Sequence, residues 1–173
     1  FITTASSIRT NPRKRKKKKM TAPKILIDNR QKQMVPTTAL HKKTELILNA
    51  LGCNLHELSI VIMNDAQIQA LNQTYRGISR PTNVLAFPMQ EGEFSGITPD
   101  LLGDVVISAQ TARKEADAAG ITLDERISQL LVHGILHLLG YDHETAPDDA
   151  DEMETKSLEI LRHIENNPDL EAF

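Results

Sequence analysis

Residues 123–140, LDERISQLLVHGILHLLG, constrain the fold more than any other part of the chain. From Ile127 onward apolar residues fall on almost every side of the helix that this spacing predicts. A helix that is apolar all round has to be buried, so this one is expected at the centre of a domain, packed on other elements. The run is interrupted by charge at its start and falls short of the ~20 apolar residues that a membrane-spanning helix needs; no other run in the chain comes closer. Gly140 is expected to end it, because glycine readily takes the left-handed conformation that closes a helix.

The other elements follow from periodicity. Lys24–Asn29, Leu58–Asp65, Asn83–Pro88 and Leu101–Ser108 are short, β-branched or alternating, and bounded by turn formers, which predicts strands. Helical spacing is found over Leu40–Leu51 (with Leu40, Leu46, Ile47, Ala50 and Leu51 as its apolar set) and over residues 65–77, with Asp65 as its N-cap. It returns over residues 108–120 and 148–166, the last with an apolar line of Met153, Leu158, Ile160, Leu161 and Ile164. Four strands interleaved with five helices make a single α/β domain with a small mixed sheet, its metal-binding candidates at the end of the central apolar helix. The segment EGEFSGITPD is the expected mobile loop.

The net charge of −3 conceals two unlike parts. Residues 1–19 hold eight of the 20 basic residues and no acid, which leaves 12 basic residues against 23 acids in the rest, a balance of −11. Like charges in RKRKKKK repel and nothing there can be buried. Residues 1–19 are therefore expected to be a disordered basic leader: a nucleic-acid tail or localisation signal, part of a transit peptide, or sequence upstream of a start at Met20. Residues 20–173 are the expected domain. Cys53 is the one cysteine. It is expected to pack as a small apolar residue; no disulfide can form within the chain, which suits a reducing, cytoplasmic setting.

The central helix also carries chemistry. His133 and His137 lie four residues apart, one helical turn, and so present two imidazoles on one face. If Gly140 turns the chain back, His143 can reach the same point. Three neutral imidazoles and an open fourth position describe a catalytic zinc site. The spacing matches the long zinc-protease motif H-E-x-x-H-x-x-G-x-x-H, but Gly134 stands where those proteases carry the glutamate that takes a proton from water. The cage of a protease is present without its base, which argues against a peptidase.

The stretch HGILHLLGYDH, His133–His143, resembles the signature of the YbeY endoribonucleases, bacterial metal-dependent proteins of ribosomal RNA maturation. Every specified position of their H-G-x-L-H-L-x-G-Y-D-H pattern is matched. YRGISRPTNVLAFP (residues 75–88) and LGDVVIS (residues 102–108) extend the resemblance in the family's order, from about Met20 to the last helix. Many members carry Asp and Ser at the positions of Asn83 and Ala86, so neither is assigned a required catalytic role. The resemblance implies an α/β fold and one zinc per chain held by His133, His137 and His143. It also implies a functional arginine at Arg76, and a single-strand-specific endoribonuclease of 16S rRNA 3′-end maturation and late small-subunit quality control. Its partners would be rRNA and the small ribosomal subunit or its proteins, with no membrane.

On residue chemistry alone, Arg76 has two readings: a guanidinium that holds a phosphate and stabilises developing charge, or a solvated helix-end arginine. Asp142 can orient an imidazole or cap a turn. Asp104 can do the former or end a strand in solvent, and Glu144 can supply the missing base without its spacing requiring it. Tyr141 is expected to pack, and His41, His56 and His163 are not expected to be ligands. An acidic body is a poor match for RNA, which needs positive potential; the cations expected near the site are Arg76, Arg80, Arg113 and Lys114, and no aromatic platform for bases is evident. The alternative to an enzyme is a non-enzymatic ribosome assembly factor with a structural metal.

Overall fold

The structure is a computed structural model and describes residues 22–89, 100–142 and 147–171. Its elements in chain order are β1 (Lys24–Asn29), α1 (Thr37–Ala50), β2 (Glu57–Met63), α2 (Asp65–Arg76), β3 (Val84–Pro88) and β4 (Leu101–Ser108). Three helices follow: α3 (Ala109–Ala119), α4 (Leu123–Leu138) and α5 (Pro147–Ile164). The four strands form one mixed sheet in the order β1-β2-β4-β3, parallel except for the antiparallel pair β3–β4. The expected single α/β domain is the one observed. The basic leader, and the expected mobile loop except for Asp100, lie outside the described residues.

Alternation along β4 explains why the sheet has helices on both faces. Val106 joins Met63, Ile68 and Leu85 in a small cluster under α2. Val105 and Ile107 point the other way, into the main core with Leu131, Ile135 and Leu136 of α4 and Ile160 and Leu161 of α5. The most apolar helix is thus the central one. Ten of its residues are buried, which is what apolar residues all round it require.

Several local expectations are corrected. The N-cap of α2 is Asn64, one residue earlier than Asp65: its side chain accepts the Gln67 amide, and Gln67 accepts the Asn64 amide in return, a reciprocal capping box. Asp65 is released for another task. Its carboxylate accepts from Ser108 Oγ at 2.6 Å, Thr111 Oγ1 at 2.7 Å and Lys114 Nζ at 2.8 Å, and so ties the start of α2 to the start of α3. In α1 the buried face is Leu40, Thr44, Ile47 and Leu48, whereas Ala50 is exposed. Cys53 is buried as expected, and burial pushes its thiol pKa up, away from reactivity.

Candidate functional site

The helix that carries the histidines is fixed along its whole length. Thr122 caps it, accepting the Glu125 amide while Glu125 accepts the Thr122 amide. Lys43 of α1 reaches across to Asp124 and Ser128 of α4 and to Glu165 beyond α5. At the far end, Gly140 takes φ of 89°, its amide donates to the His137 carbonyl, and the Tyr141 amide donates to the Leu136 carbonyl. That pair of bonds is the glycine stop expected from sequence. It turns the chain back so that Tyr141 and Asp142 line the same cleft as the two histidines.

In the middle of α4, Gly134 is required by space rather than by backbone angle. A Cβ there would lie 2.7 Å from Val105 Cγ1 and 3.2 Å from Val105 Cγ2, and Val105 is fully buried. The missing side chain lets α4 lie directly on β4. The glutamate of a zinc protease has no room at this position, so its absence is a packing requirement of this fold. Gly103 acts similarly below the end of the helix: a Cβ there would meet the Phe87 carbonyl oxygen at 2.1 Å and Leu138 Cδ2 at 3.1 Å. Together the two glycines draw β3, β4 and α4 close, and the cleft forms where α4 passes the edge strand β3.

This cleft has a volume of about 500 Å³. Val84, Ala86 and Pro88 of β3 line one side, and His133 and His137 of α4 the other. The two Nε2 atoms are 3.1 Å apart and the rings stand nearly perpendicular, at 77°. As neutral rings they are placed to share a proton. The same separation suits a shared cation, because two nitrogens about 2.0–2.1 Å from one tetrahedral zinc lie about 3.3 Å apart. The donor set, two half-buried imidazoles on one turn of helix, therefore fits zinc. Among the described residues no third His, Cys, Asp or Glu joins them to make a group of three. His143 and Glu144 lie outside the described residues.

Arg76 is the last residue of α2, exposed, and lines the cleft with the histidines. Asn72, buried in the same helix, donates from Nδ2 to the Arg80 carbonyl at 2.9 Å and so holds the loop that leads from Arg76 to β3. Asn83 is used structurally: its Oδ1 accepts the Val84 amide, its carbonyl accepts the Ser108 amide, and its Nδ2 donates to Glu115. Asp142 lines the cleft, whereas Asp104 shares the α2 face of β4 with Val106 and so lies across the sheet from the histidines. Tyr141 packs against the core. His41 and His163 are exposed and His56 immediately precedes β2, all away from the cleft.

The expected set of cations is also corrected. Arg80, Arg113 and Lys114 do not line the cleft, and Lys114 is paired with Asp65. Arg126, which the sequence does not single out, lines a groove that adjoins the cleft. One exposed aromatic does stand beside Arg76: Tyr75, 65% exposed, meets Phe87 edge-on at 5.0 Å, though on the α2 side of β3.

A mixed sheet with an antiparallel edge strand, a buried helix presenting two imidazoles beneath it, and an arginine at the rim define a small α/β domain with one histidine-bearing cleft. A family model described as Endoribonuclease YbeY matches residues 26–165. The Endoribonuclease YbeY of Geobacter sulfurreducens is 49% identical over 145 residues, which cover 83% of this chain and 97% of that protein. That of Syntrophotalea carbinolica is 46% identical over 142 residues, 81% of this chain and 95% of the relative. The solution structure of a Thermotoga maritima protein matches with a TM-score of 0.59 over 84% of this chain and 93% of that one. At 24% identity, that structure speaks for the fold alone. The chain belongs to the YbeY family.

Proposed function

We propose that this chain is a zinc-dependent endoribonuclease specific for single strands, acting in the cytoplasm on the 3′ end of 16S rRNA and in late quality control of the small ribosomal subunit. The observation that carries this reading is the convergence of His133, His137 and Arg76 on one cleft. It is supported by membership of a family whose members are named endoribonucleases. Among the described residues, no helix is long and apolar enough to cross a membrane.

In this reading His133 and His137 hold the metal with His143 as third ligand. When bound, the metal supplies Lewis acidity toward a phosphoryl oxygen and lowers the pKa of water. Arg76 grips the phosphodiester with its planar fork of donors and stabilises charge that develops on the phosphoryl oxygens. A peptidase is disfavoured, because Val105 occupies the space that a glutamate at position 134 would need. The residues beyond 19 sum to −11, so free RNA should bind weakly; RNA already positioned on the small subunit is the substrate that such a surface can use.

The test is metal content and RNA cleavage measured together. Purified protein should carry about one zinc per chain and cleave single-stranded RNA, and chelation should abolish cleavage. His137→Ala should lower zinc occupancy and melting temperature together, since metal binding contributes to folding. Full zinc occupancy in a His133→Ala/His137→Ala double variant would remove the site from the account.

A further inference from the structure

Beside the cleft lies a second depression, a groove of about 720 Å³ that shares Asn83, Val84 and His133 with it. The groove runs between the end of α3 and the middle of α4. Ala118, Ala119, Ile121 and Leu130 give it apolar walls, and Glu115, Arg126 and Gln129 give it polar groups. Those polar groups are held in place. Arg126 Nε donates to Glu115 Oε2 at 2.9 Å, Arg126 Nη1 donates to Gln129 Oε1 at 2.7 Å, and Asn83 Nδ2 donates to Glu115 Oε1 at 3.2 Å. The side chains of Arg126 and Glu115 are 20% and 34% exposed, so the pair is largely withdrawn from water.

Hydrogen-bonding capacity remains after these bonds are counted. Arg126 Nη2 and Gln129 Nε2 donate to no partner among the described residues, and the Glu115 carboxylate keeps lone pairs to accept with. Apolar walls around fixed donors and acceptors suit a flat heterocycle with a polar edge, and such sites take their specificity from a few convergent groups. Sharing His133 with the cleft puts the occupant within a nucleotide of any phosphodiester bound there.

We propose that this groove is a nucleobase subsite that seats guanine in the RNA strand, with Glu115, Arg126 and Gln129 reading its Watson–Crick edge. The proposal rests on the reading of the cleft as an RNA-cleaving site. Guanine is chosen by its chemistry. Its N1–H and N2–H are adjacent donors that a carboxylate accepts as a pair, and its O6 accepts from a guanidinium or an amide. Adenine, cytosine and uracil each offer one donor group on that edge. Unstacked single-stranded bases are the usual targets of such reading in RNA, which agrees with single-strand specificity.

The test titrates the zinc-loaded full chain with guanosine 5′-monophosphate, and separately with the adenosine, cytidine and uridine monophosphates, following backbone amide resonances. The guanine nucleotide should shift the resonances of Ile121 and Gln129 and bind about tenfold or more tightly than the other three. Glu115→Gln should weaken it about tenfold, since an amide replaces one of two acceptors. Ala119→Trp, at an exposed helix end, fills the groove without removing a polar group and should abolish the preference, so the test survives even if Glu115→Gln fails to fold. Equal binding of all four nucleotides, or tight guanine binding retained in folded Ala119→Trp, overturns the proposal. Cleavage of single-stranded RNA by the same preparations separates the two readings. Guanine binding without cleavage rejects the nuclease reading and leaves the subsite. Cleavage without guanine preference rejects the subsite alone.

Discussion

The two parts of the cleft are held in opposite ways. On α4, His133 and His137 stand on a helix capped at its first turn, clamped by Lys43, closed by Gly140 and pressed onto the sheet at Gly134. Arg76 ends α2, is exposed, and its guanidinium makes no hydrogen bond among the described residues. The difference fits the roles proposed for the two parts. Nitrogen–metal distances tolerate little error, so groups that share a cation must be positioned before it arrives. A group that grips a flexible polymer can instead wait in solvent, losing side-chain entropy only when the substrate comes. Changes on α4 should therefore appear in stability first, and changes at Arg76 in activity alone.

The largest effect should come from the closest contact on α4. Gly134→Ala places a methyl group 2.7 Å from Val105 Cγ1. Overpacking of this kind costs roughly 1–3 kcal/mol, which should outweigh the helical advantage of alanine over glycine. Gly134→Glu, which restores the protease motif, should be worse and should confer no peptidase activity. Pairing Gly134→Ala with Val105→Ala should recover part of the loss, because the two residues compete for one space. Urea denaturation of the three variants checks this; equal stability of Gly134→Ala and the parent would show that α4 is not packed as described.

That contact also marks where the sequence stops being informative. The strands, the helices and the central place of α4 were legible, because apolar periodicity of 2 or 3.6 leaves few ways to bury the marked faces. The pairing of His133 with His137 was legible because helical geometry alone brings residues four apart together. The glycine at 134 was legible as a missing base, but its cause lies in Val105, 29 positions earlier in the chain, and no local signal connects them. Asp65 looked like the N-cap of α2 because Asp and Asn compete for that role. Only the placement of Ser108 and Thr111 on a distant strand end and helix shows what the carboxylate does instead. The groove formed by Glu115, Arg126 and Gln129 likewise joins two helices whose relative placement is a property of the packed core.

A smaller effect should separate the two ends of α2. Burial by itself would raise the Asp65 pKa, but Lys114, Ser108 and Thr111 together hold it at about 2, below the ordinary 3.8. A carboxylate whose pKa is lowered on folding stabilises the fold at pH values above its unfolded pKa, and the gain is lost as pH falls through the folded value. The loss should therefore run from about pH 4 down to about pH 2. Asp65→Asn should lower the melting temperature at pH 7 by roughly 2–5 °C and make the decline between pH 4 and pH 2 shallower. Melting curves across that range check it, and an unchanged slope would show that Asp65 is not the anchor of α2.

At the other end of the same helix, no change in stability is expected at all, and this is where the account is most exposed. Arg76→Ala, loaded with zinc, should keep the melting temperature and metal content of the parent. Its cleavage of single-stranded RNA should fall by about ten- to a thousand-fold, as when one charge-stabilising donor is lost, and Arg76→Lys should recover only part because it lacks the planar fork. The decisive measurement is the rate of RNA cleavage by folded, zinc-loaded Arg76→Ala. A large fall with unaltered stability is the predicted result; a rate equal to that of the parent would contradict the assignment of the cleft as a phosphodiester-cleaving site.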